Sequence, residues 1–425
     1  ARRTNRIKYS PDWQQSGFFY ARSTRRSRSL CNNRGPFSPS KILTAPLLIP
    51  AQINLPAPGT DAAWGRLIGA SLALAAAELA QAIDRPILLL AEDPRHADQL
   101  ESEIRFFAGG DMPVAHFVEW ETLPWDSFSP HQDIISQRLR VLAQLRGMDR
   151  GVVIAAATVL QQRLPPVEYV AARSLSLSVG QELPREPFTD SLVASGYLRV
   201  PQVSEHGEFA VRGSLIDVFP MGTDAPVRID FFDDEVESLR WFAAETQLSG
   251  DPIDSLDILP AREVPLDADA IHTFRHHYRE RFEGQPGKSR VYREVSDGIA
   301  HGGIEYYLPL FFEATASFTD YLPTNCVVLA PAGVEALLEQ FWAEARERYE
   351  LCSLDKERPI LSIEETFIAP NTIPGQLAAF PGIRYTSQSL TAAPGKLNLD
   401  TRLPPAMKIE ARYEDAAAAL IAFLK

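Results

Sequence analysis

Residues 207–242, GEFAVRGSLIDVFPMGTDAPVRIDFFDDEVESLRWF, alternate apolar and polar side chains with a period of two, which commits this part of the chain to β-structure. Val227, Ile229 and Phe231 fall on one side of a strand and read as its core face, while Arg228, Asp230 and Phe232 fall on the other. Asp233-Asp234-Glu235 interrupts the pattern and predicts a hairpin turn before the strand resumes at Val236. An earlier strand over 214–219 ends at Pro220-Met221-Gly222, because proline cannot donate to a ladder. Three locally connected strands are therefore expected.

The second face of that sheet carries the functional question. Phe232 shares a side with Arg228, and Arg212 precedes Gly213 at the end of the neighbouring strand. Arginine and aromatic side chains on a solvent-facing sheet are the types that dominate protein–protein hot spots, worth about 2 kcal/mol or more each. A purely structural arrangement would instead cover Phe232 with a helix and pair both arginines with Asp230 or Asp233.

Around this block the pattern differs. On its N-terminal side an Ala-rich helix runs to about Ile83, followed by a buried strand at 86–91, a helix started by Asp93-Pro94 that runs through Ile104 and Phe107, a helix over 133–145 and a strand at 151–156. Strands separated by helices predict a parallel α/β layer. Short strands joined by turns take over near Arg173 and continue to Pro260, with one helix around 189–195. Beyond it come a helix over 268–282, a strand at 326–330 and a helix over 333–349. Residues 390–405 read as linker, and 414–425 as a helix that the chain end cuts, which suggests a fragment.

Charge narrows the function classes. Residues 1–45 hold ten Arg or Lys against Asp12 alone, a net of +9 that leaves −22 on the rest of a chain totalling −13. So acidic a body repels phosphate and argues against a direct DNA-binding module. The basic segment reads as a disordered extension. Three cysteines, Cys31, Cys326 and Cys352, indicate neither a disulfide framework nor a zinc site and fit a reducing cytoplasm, the expected location. No run of 18 apolar residues is present, so no membrane span is expected.

Motifs for catalysis are weak. Gly287-Lys288-Ser289 resembles the end of a phosphate loop, but Phe282 stands where the loop needs glycine, and a polar helix precedes it instead of a strand. Gly65, Gly69 and Ser71 lie where a nucleotide-binding α/β domain places its loop, yet Ala70 occupies the lysine position, so neutralisation of a β- or γ-phosphate is missing. The reading is a degenerate loop without cofactor, and a cryptic nucleotide-dependent helicase is the enzymatic alternative. Glu92-Asp93 reads as a helix start, the solvated His272 and His276 as a weak zinc candidate, and Asp230, Asp233, Asp234 and Glu235 as a turn.

Four stretches carry a family resemblance: WETLPWDSFSPHQDIISQRL (120–139), EHGEFAVRGSLIDVFPMG (205–222), RIDFFDDEVESLR (228–240) and GIEYYLPLFF (303–312). In this order they closely resemble the amino-terminal part of bacterial transcription-repair-coupling factors, which is itself similar to the excision-repair protein UvrB, over about residues 46–425. The resemblance implies a degenerate helicase-like parallel α/β domain interrupted by an α+β insert with an antiparallel sheet. The expected division is a basic extension at 1–45, domain 1 first at 46–173, a UvrA-binding domain 2 at 174–260, the remainder of domain 1 at 261–395, and a linker with the start of a further domain at 396–425. Arg212, Arg228 and Phe232 match the family's UvrA-contact positions. The family resemblance also implies a DNA-clamping hairpin shortened to about 125–131, no ATP hydrolysis by this module, and ATP, magnesium, RNA polymerase and DNA handled by regions outside the chain.

Overall fold

A computed structural model describes residues 47–403, except 51 and 111, together with residue 421. The basic extension at 1–45 and the helix expected over 414–425 lie outside these, apart from residue 421. Cys31 is likewise outside them; Cys326 is buried and Cys352 half-buried, both as free thiols.

The frame is a seven-stranded parallel sheet with the order β15-β1-β14-β13-β2-β4-β3. Its members are β1 (Asp61–Gly65), β2 (Pro86–Ala91), β3 (Val114–Phe117), β4 (Gly151–Ala156), β13 (Val327–Pro331), β14 (Gly382–Tyr385) and β15 (Lys396–Asn398). PILLLA in β2 and GVVIAA in β4 are buried at every position, as expected for central parallel strands covered on both faces. Alternation sorts their side chains into two cores. Ile87, Leu89, Val152 and Ile154 pack under α1 (Ser71–Ala82) and α2 (Pro94–Ala108), whereas Leu88, Leu90, Val153 and Ala155 join the larger core that holds α3 (Gln132–Leu145) and Leu338. Asp93 caps α2 by accepting from the His96 amide at 2.8 Å, with Pro94 in the first turn.

The chain leaves this frame after α4 (Val167–Ala172) and returns before α6 (Ala268–Arg281). Between them β6 (Leu198–Arg199), β7 (Glu208–Arg212), β8 (Leu215–Val218), β9 (Val227–Phe232), β10 (Glu235–Phe242) and β11 (Ser249–Ile253) form a six-stranded sheet. Four of its pairings are antiparallel, and the two-residue pairing of β6 with β7 is parallel. A separate ribbon pairs β5 (Leu175–Ser178) with β12 (Ser255–Ile258), and α5 (Arg185–Ala194) sets Phe188 against Phe231. The fold is thus a parallel α/β layer interrupted by an α+β insert. Beyond it α7 (Arg290–Ser296) and α8 (Val334–Cys352) complete the frame.

The insert is anchored to α3. His206 sits between the Asp133 carboxylate (2.6 Å) and the Thr223 carbonyl (2.8 Å), the Ser136 hydroxyl accepts from the Gly222 amide at 2.8 Å, and Arg140 pairs with Asp224 at 2.7 Å. Deeper in, Arg138 and Glu263 form a fully buried pair at 2.5 Å.

Several expectations change. Residues 61–65 form strand β1, so the Ala-rich helix begins only at Ser71, and β3 and β14 are strands beyond those expected. The stretch 390–405, read as linker, supplies edge strand β15, which pairs with β1. No shortened hairpin stands at 125–131: these residues form a packed loop. Trp125, at φ +54°, is buried between Tyr349 and Phe367, and its indole donates to Thr366 at 3.2 Å. Arg358 binds the Trp125 carbonyl at 2.9 Å, and the Asp126 carbonyl lies where a Cβ on Gly303 (φ +76°) would be. An aromatic held in left-handed backbone is sustained by these contacts.

Beside this loop, burial raises the Glu305 carboxyl from its ordinary 4.5 to about 7, an effect that Glu263 adds to and the Ser129 hydroxyl donating at 2.9 Å opposes. A raised folded-state value means that the native protein holds this proton more tightly than the unfolded chain. The stabilisation is therefore complete below 4.5 and is lost as pH rises to about 7. Urea denaturation at pH 5 and 7.5 should show Glu305→Gln gaining stability relative to the wild type at the higher pH; a difference that does not change with pH would remove this assignment.

Candidate functional site

The outer surface of the six-stranded sheet is built by register. Asp217 opposes Arg228, Leu215 opposes both Asp230 and Arg212, and Phe232 closes β9 opposite Glu235. The β9–β10 turn is made by Asp233, in left-handed backbone at φ +58°, and Asp234. Gly213, at φ +62°, makes the β7–β8 turn next to Arg212. Val227, Ile229 and Phe231 are buried beneath, which leaves Phe232 pointing outward and 74% exposed. No helix covers it.

This outer surface has two unequal halves. At one end Phe242, Phe219, Val203 and Ala210 form a small closed cluster, and the Arg228 guanidinium lies 4.9 Å from the centroid of Phe242. Arg228 grips the buried Asp217 with two hydrogen bonds, of 2.7 and 2.9 Å, and reaches Ser249 at 3.0 Å and the Gln247 carbonyl at 3.3 Å. Its partner is thus Asp217, not Asp230 or Asp233; Asp230 accepts instead from Ser214 at 3.1 Å. The Asp217 carboxylate holds the Arg228 proton more tightly than usual. Among the described residues one Nη2 hydrogen is left uncommitted.

The other half is open. Arg212 is exposed, and among the described residues its side chain donates only to the Pro201 carbonyl, at 3.0 Å. It stands two strands away from Phe232, about 10 Å across the sheet. Arg212 and Phe232 are therefore displayed to solvent together, while Arg228 is built into the surface behind them.

The degenerate loop has a different fate. Residues 65–71 connect β1 to α1, the strand–loop–helix placement of a phosphate loop, with Gly69 at φ +59° and Ser71 opening the helix. The chain's own tail occupies its surroundings. The Arg66 amide donates to the Gln388 carbonyl at 2.8 Å, the Leu67 amide to Thr386 at 3.1 Å, and the Arg66 guanidinium to Thr401 at 2.8 Å. A phosphate nest needs free, converging amides, and two of these point into the tail. Gly287-Lys288-Ser289 forms a short turn between α6 and α7, with Ser289 capping α7. Among the described residues no group of His, Cys, Asp and Glu is arranged to hold a metal, and no helix is long and apolar enough to cross a membrane.

Comparison with known proteins converges on the same sheet. Residues 175–264 match the family described as the UvrB interaction domain. The transcription-repair-coupling factor of Escherichia coli is 37% identical over 368 residues, 86% of this chain and 32% of that protein. That of Haemophilus influenzae is 35% identical over 362 residues, 85% of this chain and 31% of that protein, and that of Myxococcus xanthus 30% identical over 295 residues, 65% and 25%. The chain spans about a third of the length of the first two. By the motifs, the interrupted α/β frame and these matches, the chain is a UvrB-like module of the transcription-repair-coupling factor family, built around a UvrB interaction domain.

Proposed function

We propose that the chain serves transcription-repair coupling by recruiting UvrA, through the open half of the inserted sheet, to an RNA polymerase halted at a DNA lesion. The observation that carries this reading is Phe232, 74% exposed and two strands from Arg212 within the matched UvrB interaction domain. An aromatic side chain has little rotamer freedom to lose and much apolar area to bury, and an exposed guanidinium supplies charge-assisted bonds to carboxylates. Phe232 fills an apolar pocket on UvrA, and Arg212 meets an acidic group beside it. Arg228 holds the surface flat through Asp217 and offers its remaining Nη2 hydrogen. In this reading the frame binds no nucleotide, ATP with magnesium, RNA polymerase and DNA belong to parts of such proteins that the match does not span, and the setting is the cytoplasm.

Titration calorimetry of the chain with purified UvrA tests this. We expect micromolar or tighter binding, weakened about tenfold in Arg212→Ala, the loss of a charge-assisted contact. No heat from the wild type would remove the recruitment reading. Arg228→Ala is a poor probe, because it would strip the buried Asp217 of its partner and confuse binding with stability.

A further inference from the structure

The exposed surface around Phe232 continues beyond the six-stranded sheet. Val179, just past β5, is 45% exposed and shares one open groove of about 240 Å³ with Phe232, Gly180, Glu235, Val236 and Glu237. The groove is fixed by main-chain bonds. The Gly180 amide donates to Val236 (2.8 Å), the Val236 amide to Gln181 (2.9 Å), the Leu183 amide to Asp234 (2.6 Å) and the Val179 amide to Asp254 (3.0 Å). Its apolar lining is the two exposed side chains, Val179 and Phe232, whereas Val236, opposite the buried Phe231, turns its side chain into the core.

The rim is acidic. Glu235 and Glu237 are exposed, as are Asp233 and Asp234 at the adjoining turn, and none of the four forms an ion pair among the described residues. The surface thus changes sign along its length, cationic at Arg212 and anionic beyond Phe232. Such an arrangement fixes the orientation of a bound protein, because the reversed pose would set like charges together.

We infer that the groove between Val179 and Phe232 receives an apolar side chain of UvrA flanked by a lysine or arginine that meets Glu235 and Glu237. Val179 is then a binding residue, and the two glutamates determine orientation. This rests on the recruitment reading proposed above and extends its contact surface onto the β5–β12 ribbon.

Calorimetry with purified UvrA, using Val179→Asp and the double variant Glu235→Gln/Glu237→Gln, tests it. Val179→Asp should bind at least tenfold more weakly, since it sets an unpaired charge in an apolar contact. The double variant should bind about threefold more weakly at low salt and like the wild type at high salt, where exposed charges are screened. The side chains are exposed and the amide of Val179 is retained, so urea midpoints should match the wild type and separate binding from folding. If Val179→Asp binds normally while Arg212→Ala is impaired, the surface stops at the six-stranded sheet and the inference falls with recruitment intact. If the wild type does not bind UvrA, both fall.

Discussion

Replacing Glu263 by alanine is expected to cost the fold about 3–5 kcal/mol, the penalty for stranding one member of a buried ion pair. Both side chains are fully buried. Arg138 donates Nε to Glu263 at 2.5 Å and Nη1 to the Val118 carbonyl (2.7 Å) and Gln162 (3.0 Å), and Trp120 donates its indole N–H to the other Glu263 oxygen at 3.2 Å. Rings of Phe117 and Trp120 lie 4.3 and 5.0 Å from the guanidinium. Removing the carboxylate leaves a cation out of water among aromatic faces that replace only part of its solvation. The coupling joins α3 of the frame to the irregular segment returning from the insert, so the loss should appear in unfolding of the whole molecule. Urea denaturation followed by tryptophan fluorescence reads it. A double variant, Arg138→Leu/Glu263→Leu, should recover at least half of the deficit, because two apolar side chains carry no desolvation debt. A single variant within about 1 kcal/mol of the wild type would mean that water reaches the pair.

How much of this was legible depended on whether a segment's structure was set locally. β2 and β4 are unbroken apolar runs bounded by turns, and their expected limits match the structure. β1, β3, β14 and β15 hold three to five residues each and include Ala, His, Arg and Lys. They become strands because an already formed parallel neighbour presents its ladder, as β13 and β1 do on either side of β14. The outward direction of Phe232 followed from a period of two. The partner of Arg228 did not, since pairing with Asp217 depends on the β8–β9 register fixed by the intervening turn. Arg138 and Glu263 are 125 residues apart and carry no pattern that links them. Val179 was equally silent, because what makes it notable is the exposed ring of a residue far along the chain.

Two adjacent phenylalanines should separate recognition from folding. Phe232→Ala is expected to weaken UvrA binding by about 2 kcal/mol or more, roughly thirtyfold, while leaving the urea midpoint where it was. Its ring is 74% exposed, so truncation leaves no cavity in the free protein. Phe231→Ala should do the reverse. That ring is 3% exposed and faces Phe188 of α5 at a centroid distance of 6.3 Å, so its removal opens a cavity and costs about 3–5 kcal/mol of stability. Whatever Phe231→Ala protein remains folded at low temperature should still bind UvrA, because the outward side chains of β9 are retained. The contrast turns on a single step along one strand, since neighbouring residues face opposite sides of the sheet. If Phe232→Ala binds like the wild type at an unchanged midpoint, the ring is exposed without serving recruitment, and the contact must lie elsewhere on the module. If it instead lowers the midpoint as Phe231→Ala does, the ring is packed in solution, and the open half of the sheet is covered.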